Sequence, residues 1–288
     1  MIYKSAADWY NDPQKKVLMF GMSGLGKTHV SNMLRANGDW FHYSIDYRIG
    51  TRYMGEAIDD NLKREAMKNP FLAGLLRSDS IHLGSNISFD DLAPLSSYLG
   101  KPGDPAKGGI KIDEYKRRQV QHEKAEIAAL LDAPHFIERA RELYEISNFI
   151  CDSGGSICEV VDPENENDPV LSQLSNSLLL VWIKGCDEHT NSLISRFDAA
   201  PKPMCYRTKF MVQLWSEYLS KNNTLADDVD PNQFMRWAFA QAIEQRQPRY
   251  AAMAKNWGIT VSAQDVAAAT TPAAFDAMIA NALEKHHT

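Results

Sequence analysis

The sequence predicts an α/β fold, a three-layer αβα sandwich around a parallel sheet, carrying a helical insertion. Three observations predict it. Apolar runs of strand length recur at 16–20, 40–45, 148–151, 178–183 and 259–261. Helical patterns separate most of these runs, the alternation expected of βαβ units. The first run leads directly into a glycine-rich turn and then into residues that can continue as a helix.

That first run is "KVLMF", and the turn after it is "GMSGLGKT". Gly21, Gly26, Lys27 and Thr28 complete the pattern G-x-x-x-x-G-K-[ST]. Backbone N–H groups left uncovered by side chains at Gly21, Gly24 and Gly26 can converge, with those of Ser23 and Leu25, on a phosphate at the positive end of the next helix. Lys27 adds a mobile point charge for the β- and γ-phosphates, and the Thr28 hydroxyl is of the type that ligates Mg²⁺. With a strand before and a helix after, the context sharpens the expected fold to a P-loop NTPase whose ligand lies at the carboxyl ends of the strands.

The second run closes with "FHYSIDYRIG", placing Asp46 just past the strand. A carboxylate there either caps the following helix or orients an acceptor hydroxyl and takes its proton. Residues 56–147 are too many for a simple crossover and read as an insertion. Its first part, "GEAIDDNLKREAMKNPFLAGLL", is helical in pattern. "YLGKPGDPAKGG" has the glycine and proline density of a loop, and a charged helix or helix pair follows from Asp113, broken near Pro134. The charges of "DEYKRRQVQHEK" read most simply as a solvated helix face.

The third run ends in "FICDSGGS". Asp152 at the strand end can reach a magnesium ion directly or through water, or it can cap the turn. The same letters spell D-x-x-G, but no N-K-x-D follows to read guanine. After the fourth run, residues 196–247 form a lid and a helical elaboration, with aromatics at helical spacing in "YRTKFMVQLWSEYL" and "PNQFMRWAFAQAIEQ" that core packing explains. The fifth run is short, and the Ala-rich ending reads as a closing helix.

The 288 residues suit one large elaborated domain, and Lys+Arg 31 against Asp+Glu 37 gives a formal charge of -6. That balance points away from a broad nucleic-acid surface and leaves room for a local phosphate pocket. The four cysteines, Cys151, Cys158, Cys186 and Cys205, show neither C-x-x-C spacing nor a clustered His partner, which points away from a zinc site or a disulfide framework, and they read as buried thiols. The N-terminus lacks an apolar signal core and "SLLLVWI" is far too short to cross a bilayer, so the expected partner is no membrane and the expected location is the cytoplasm. No repeat or heptad array is present, so no oligomeric state is specified.

With these residues in place the chain resembles the small-molecule P-loop kinases, and the shikimate kinase family most closely. That family follows its phosphate loop with a strand ending in D-x-D and then an isoleucine and a glycine. "SIDYRIGTRYMG" has Asp46 at the second acidic place and Ser44 at the first. "CDSGGS" is similar to the family's acceptor-lining turn through Gly154 and Gly155. "LLLVWIKGCDEHTNSLISRFDAAPKPMCYRTK" is similar to its fourth strand, arginine-bearing helix and mobile, basic lid, with Arg196 before the lid and Lys202 or Arg207 within reach. "RQPRYAAMAKNWGITV" matches R-x-P-x-Y and a short strand, which puts Arg246 where the family binds its acceptor's carboxylate. These arginines also have a plain reading as surface or ion-pair residues.

The resemblance implies transfer of the γ-phosphate of ATP, with Mg²⁺, to a hydroxyl of a small anionic acceptor. Lys27, Asp46 and Asp152 are then the expected catalytic residues. Gly21 to Thr28 and Arg196 would hold the nucleotide, Thr28 and Asp152 the metal, and Asp46, Gly154, Gly155 and Arg246 the acceptor. Two alternatives share the core: an ATPase or nucleotide switch working with a macromolecular partner, and a nucleoside or nucleotide kinase.

Overall fold

The structure, a computed structural model, describes residues 1–286. The chain divides into two compact units. The first comprises Met1–Ile45, Ile127–Pro201 and the chain from Arg236 onward, and the second comprises Asp46–Glu126 and Lys202–Met235.

Among the described residues of the first unit, five strands form one parallel sheet: β1 (Lys16–Phe20), β2 (Trp40–Ser44), β3 (Asn148–Asp152), β4 (Leu179–Lys184) and β5 (Gly258–Ser262). They lie in the order β2-β3-β1-β4-β5, so β1 is central, with β3 on one side and β4 on the other. Each strand falls within a residue or so of its apolar run. β2 stops at Ser44 because Ile45 already begins a short helix, Ile45–Arg48.

Consecutive strand residues point to opposite faces, yet Val17 to Phe20, Phe149 to Asp152 and Leu179 to Ile183 are all buried. Both faces of the sheet are therefore covered, which makes this unit the three-layer α/β sandwich. The helices Lys27–Ala36 and Ala133–Tyr144 pack on β2 and β3, Pro169–Ser177 on β4, Ala263–Ala268 on β4 and β5, and Pro272–His286 on β5. The Ala133–Tyr144 helix, inside the 56–147 segment, is thus a layer of the sandwich, where Phe136 stacks on Tyr43 of β2.

This strand order sends the connection after β1 toward β2 and the connection after β3 across β1 to β4. The divergence opens a crevice at the carboxyl end of β1, the position at which such sheets bind ligands.

The second unit is helical. Gly55–Ala66 and Pro70–Arg77 form its start, the latter capped by the Asn69 side chain, which accepts from the Phe71 and Leu72 N–H groups. The loop expected around residue 103 is ordered by backbone pairing: Gly103 N donates to Ile110 O at 3.0 Å and Asp104 N to Val229 O at 2.8 Å. Residues 202–208 are fastened to the long helix Ile112–Leu131. Tyr115 Oη and Gln119 Nε2 both donate to Met204 O at 3.0 Å, Tyr206 N donates to Gln119 Oε1 at 2.9 Å, and Thr208 Oγ1 donates to Glu123 Oε2 at 3.1 Å. Tyr115, Gln119 and Tyr206 are buried, so water competes little for these bonds.

Candidate functional site

The site begins where β1 ends. Gly21 follows Phe20 with φ 137°, and a Cβ placed on it would meet the Ile183 carbonyl oxygen of β4 at 2.8 Å. Only glycine lets the backbone turn there against the neighbouring strand. Gly26, at φ 95°, is the N-cap of the Lys27–Ala36 helix and turns the chain into it in a left-handed conformation. The loop amides therefore gather at the N-terminus of a helix of ten residues, where partial positive charge favours an anion.

Lys27 is buried, and its Nζ donates to Gly21 O and Met22 O at 2.9 Å each, so the ammonium is held over the loop's own backbone. One residue on, Thr28 Oγ1 donates to Asp152 Oδ2 at 2.7 Å. Asp152 is the last residue of β3, in register with Met19 of β1 and Ser44 of β2. A hydroxyl and a carboxylate are hard oxygen donors, and two such protein ligands suit Mg²⁺, which takes the rest of its shell from phosphate oxygens and water. The donor set fits that ion, while no cluster of three or more His, Cys, Asp or Glu among the described residues would make an all-protein cage.

A residue the sequence reading passed over stands behind Asp152. His42, in the middle of β2, is buried with Nε2 3.8 Å from Asp152 Oδ2. A single imidazole within "FHYS" was the only available signal.

The turn after β3 lies against the glycine-rich loop. Ser153 N and Oγ both donate to Met19 O, at 3.2 and 3.0 Å. Gly154 is buried, and a Cβ placed on Gly155 would lie 3.5 Å from Ser23 Oγ. Arg196, on the Asp187–Ala199 helix, lies over the loop from another side, with its Nη2 2.8 Å from where a Gly24 Cβ would be. The loop residues, Asp152, Gly154, Gly155 and Arg196 are thus gathered within the first unit.

Arg246 is placed differently from an open anion grip. It lies on the long helix Pro231–Trp257, is buried, and its Nε donates to the equally buried Glu159 Oε1 at 2.8 Å. Burial is the largest influence and opposes its charge, but the Glu159 carboxylate, together with Tyr250 and Cys158 beside it, holds the guanidinium above its ordinary value. Along the same helix Tyr250 Oη donates to Gly155 O, and Arg249 donates to Cys158 O at 2.7 Å and Val161 O at 2.5 Å. Gln247 Nε2 approaches Met22 Sδ of the phosphate loop at 3.1 Å. The R-x-P-x-Y segment therefore anchors the 155–161 stretch from one side. Glu159, hidden in the apolar run "ICEVV", gave no signal of its pairing.

Asp46 opens the second unit, directly after Ile45, in the short helix that follows β2. The cysteines divide. Cys151 and Cys158 are buried and free, with burial pushing the Cys158 thiol up to about 12, but Cys186 is exposed and Cys205 is half-buried. The expectation of buried thiols without a clustered His partner fails at Cys186, which stands at the open end of β4, not inside a strand, with its Sγ 2.9 Å from His189 Nδ1 one helical turn on.

A parallel α/β sandwich whose central strand runs through a glycine-rich loop into a helix is a P-loop NTPase-like fold. No protein-family model matches the sequence, and no curated protein matches it. Among solved structures the chain is similar to the crystal structure of shikimate kinase from Bacteroides thetaiotaomicron, at 11% identity over 96% of this chain and 99% of that one, with a TM-score of 0.39. The fold class rests on the strand order and loop geometry, independently of that likeness. No helix among the described residues is long and apolar enough to cross a membrane.

Proposed function

We propose that this chain is an ATP-dependent phosphotransferase that moves the γ-phosphate to a hydroxyl of a small molecule. The observation that carries the reading is the Thr28–Asp152 bond of 2.7 Å beside the loop that holds Lys27, with the Gly154–Gly155 turn against Ser23. Phosphoryl transfer asks a protein mainly for positioning and charge neutralisation, and these residues supply both at one strand edge.

In this reading the loop amides and Lys27 bind the triphosphate, and Arg196 lies over the loop to meet it. Thr28 and Asp152 would hold Mg²⁺, which would supply charge neutralisation for the phosphates. A cavity of about 340 Å³ at the ends of β4 and β5 takes the base and sugar; its residue Gly185 adjoins Leu25 of the loop. Asp46, two residues beyond Ser44, orients or deprotonates the acceptor hydroxyl. Arg246 serves by fixing the acceptor-lining turn through Glu159 and the Tyr250 contact, and the anionic character of the acceptor is then left to other residues.

The test is incubation with Mg²⁺ and ATP labelled at the γ-phosphate, against panels of sugars, polyols, hydroxy acids and nucleosides. Label should pass to one class of alcohol, and Asp46→Asn should abolish that transfer while nucleotide binding persists. Label appearing only in inorganic phosphate, at a rate indifferent to every acceptor, would favour a hydrolase or switch and overturn the proposal.

A further inference from the structure

The cavity at the ends of β4 and β5 contains a nucleophile that phosphoryl transfer does not use. Cys186 is exposed there, and its Sγ lies 2.9 Å from His189 Nδ1. The same Nδ1 accepts from the Cys186 N–H at 3.3 Å, so this nitrogen carries its lone pair and faces the thiol as a base. The sulfur in turn accepts the backbone N–H of His189. A thiol thus has a nitrogen acceptor within reach, a backbone N–H on its sulfur, and an open cavity of about 340 Å³ in front of it. Lys184 and Lys285 line the same cavity and outnumber its one lining carboxylate, Asp265, which keeps its charge while accepting from the Ser262 hydroxyl at 2.7 Å. The local charge therefore favours an anionic reagent.

We propose that the Cys186–His189 pair is a site of thiol–disulfide exchange with small anionic disulfides, and that the resulting adduct blocks the cavity. His189 Nδ1 takes the thiol proton, and the Cys186 thiolate attacks one sulfur of the disulfide. The new S–S bond forms as the old one breaks, and the departing thiolate takes up the proton. Cys186 is oxidised and one half of the disulfide is reduced, so no further oxidant is needed. The cavity wall is close enough to the phosphate loop for an adduct to matter: a Cβ on Gly185 would lie 3.4 Å from His189 Cβ and 3.2 Å from Leu25 Cδ2. That consequence for nucleotide rests on the function proposed above, whereas the reactivity of the thiol does not.

The experiment treats the full chain with the anionic aryl disulfide DTNB and with oxidised glutathione, following thiolate release and intact mass. One thiol should react fast, be absent in Cys186→Ser, and be slowed at least about tenfold in His189→Gln, where Cys186 remains. Excess ATP with Mg²⁺ should protect it, and the glutathione adduct should weaken binding of a fluorescent ATP analogue at least about tenfold. Cys186 reacting no faster than Cys205, or a rate unchanged by His189→Gln, overturns the proposed pair. Fast modification that leaves analogue binding intact overturns the blocking role. If Lys27→Ala also leaves analogue binding intact, the nucleotide reading itself has failed.

Discussion

Thr28 Oγ1 donates to Asp152 Oδ2 at 2.7 Å across 124 residues of sequence, tying the start of the helix after β1 to the end of β3. Both oxygens are of the kind Mg²⁺ binds, so nucleotide affinity should depend on them chiefly when the metal is present. Thr28→Ala and Asp152→Asn should each weaken binding of an ATP analogue at least about tenfold with Mg²⁺ and change it little with a chelator, measured by calorimetry. Equal losses in both conditions would show that the pair merely braces the fold.

Glu159 and Arg246 form a buried ion pair, and removing one member leaves the other charge in the interior without its partner. Glu159→Gln should therefore cost about 3–5 kcal/mol of stability in urea unfolding. Replacing both, Glu159→Gln with Arg246→Met, should be less damaging than the single change, because no uncompensated charge remains. Additive losses in the double variant would mean the two residues do not act as a pair.

The 202–208 segment looks like a free lid in the sequence, but Gln119 holds both Met204 O and Tyr206 N with one side-chain amide. Hydrogen exchange at Tyr206 should accordingly be slow in the native chain and faster in Gln119→Ala, with the Thr208–Asn222 helix unaffected. Each bond is worth about 1 kcal/mol, so losing both should speed the local opening roughly thirtyfold. Rapid exchange at Tyr206 in the unaltered chain would show that the segment is not fastened.

His122 is buried in the second unit, with Nδ1 3.7 Å from the buried Glu126 Oε2, and burial lowers its pKa from 6.5 to about 4. Between those two values the unfolded chain takes up a proton that the folded chain refuses. Stability therefore falls as pH drops from about 6.5 toward 4, by up to about 3 kcal/mol from this group, and is unaffected by it above 6.5. Comparison with His122→Leu by urea unfolding at about pH 7.5 and pH 5 isolates the effect. The native chain should lose more stability than the variant on acidification, and parallel losses would remove His122 from the account.

What was legible in the sequence was whatever chemistry local order alone dictates. Five short apolar runs specify buried strands because both faces of a parallel sheet must be covered, and the glycines around Lys27 specify a tight turn from strand to helix because only they permit its backbone path. The tertiary structure decided which distant groups meet. Nothing near Arg246 in the chain announces Glu159, 87 residues away, nothing in the 202–208 stretch announces Gln119, and His42 reaches Asp152 only because β2 and β3 are neighbours. Side-chain partners across a parallel sheet or between helices are set by register and packing, which depend on all elements at once, so no single stretch could display them.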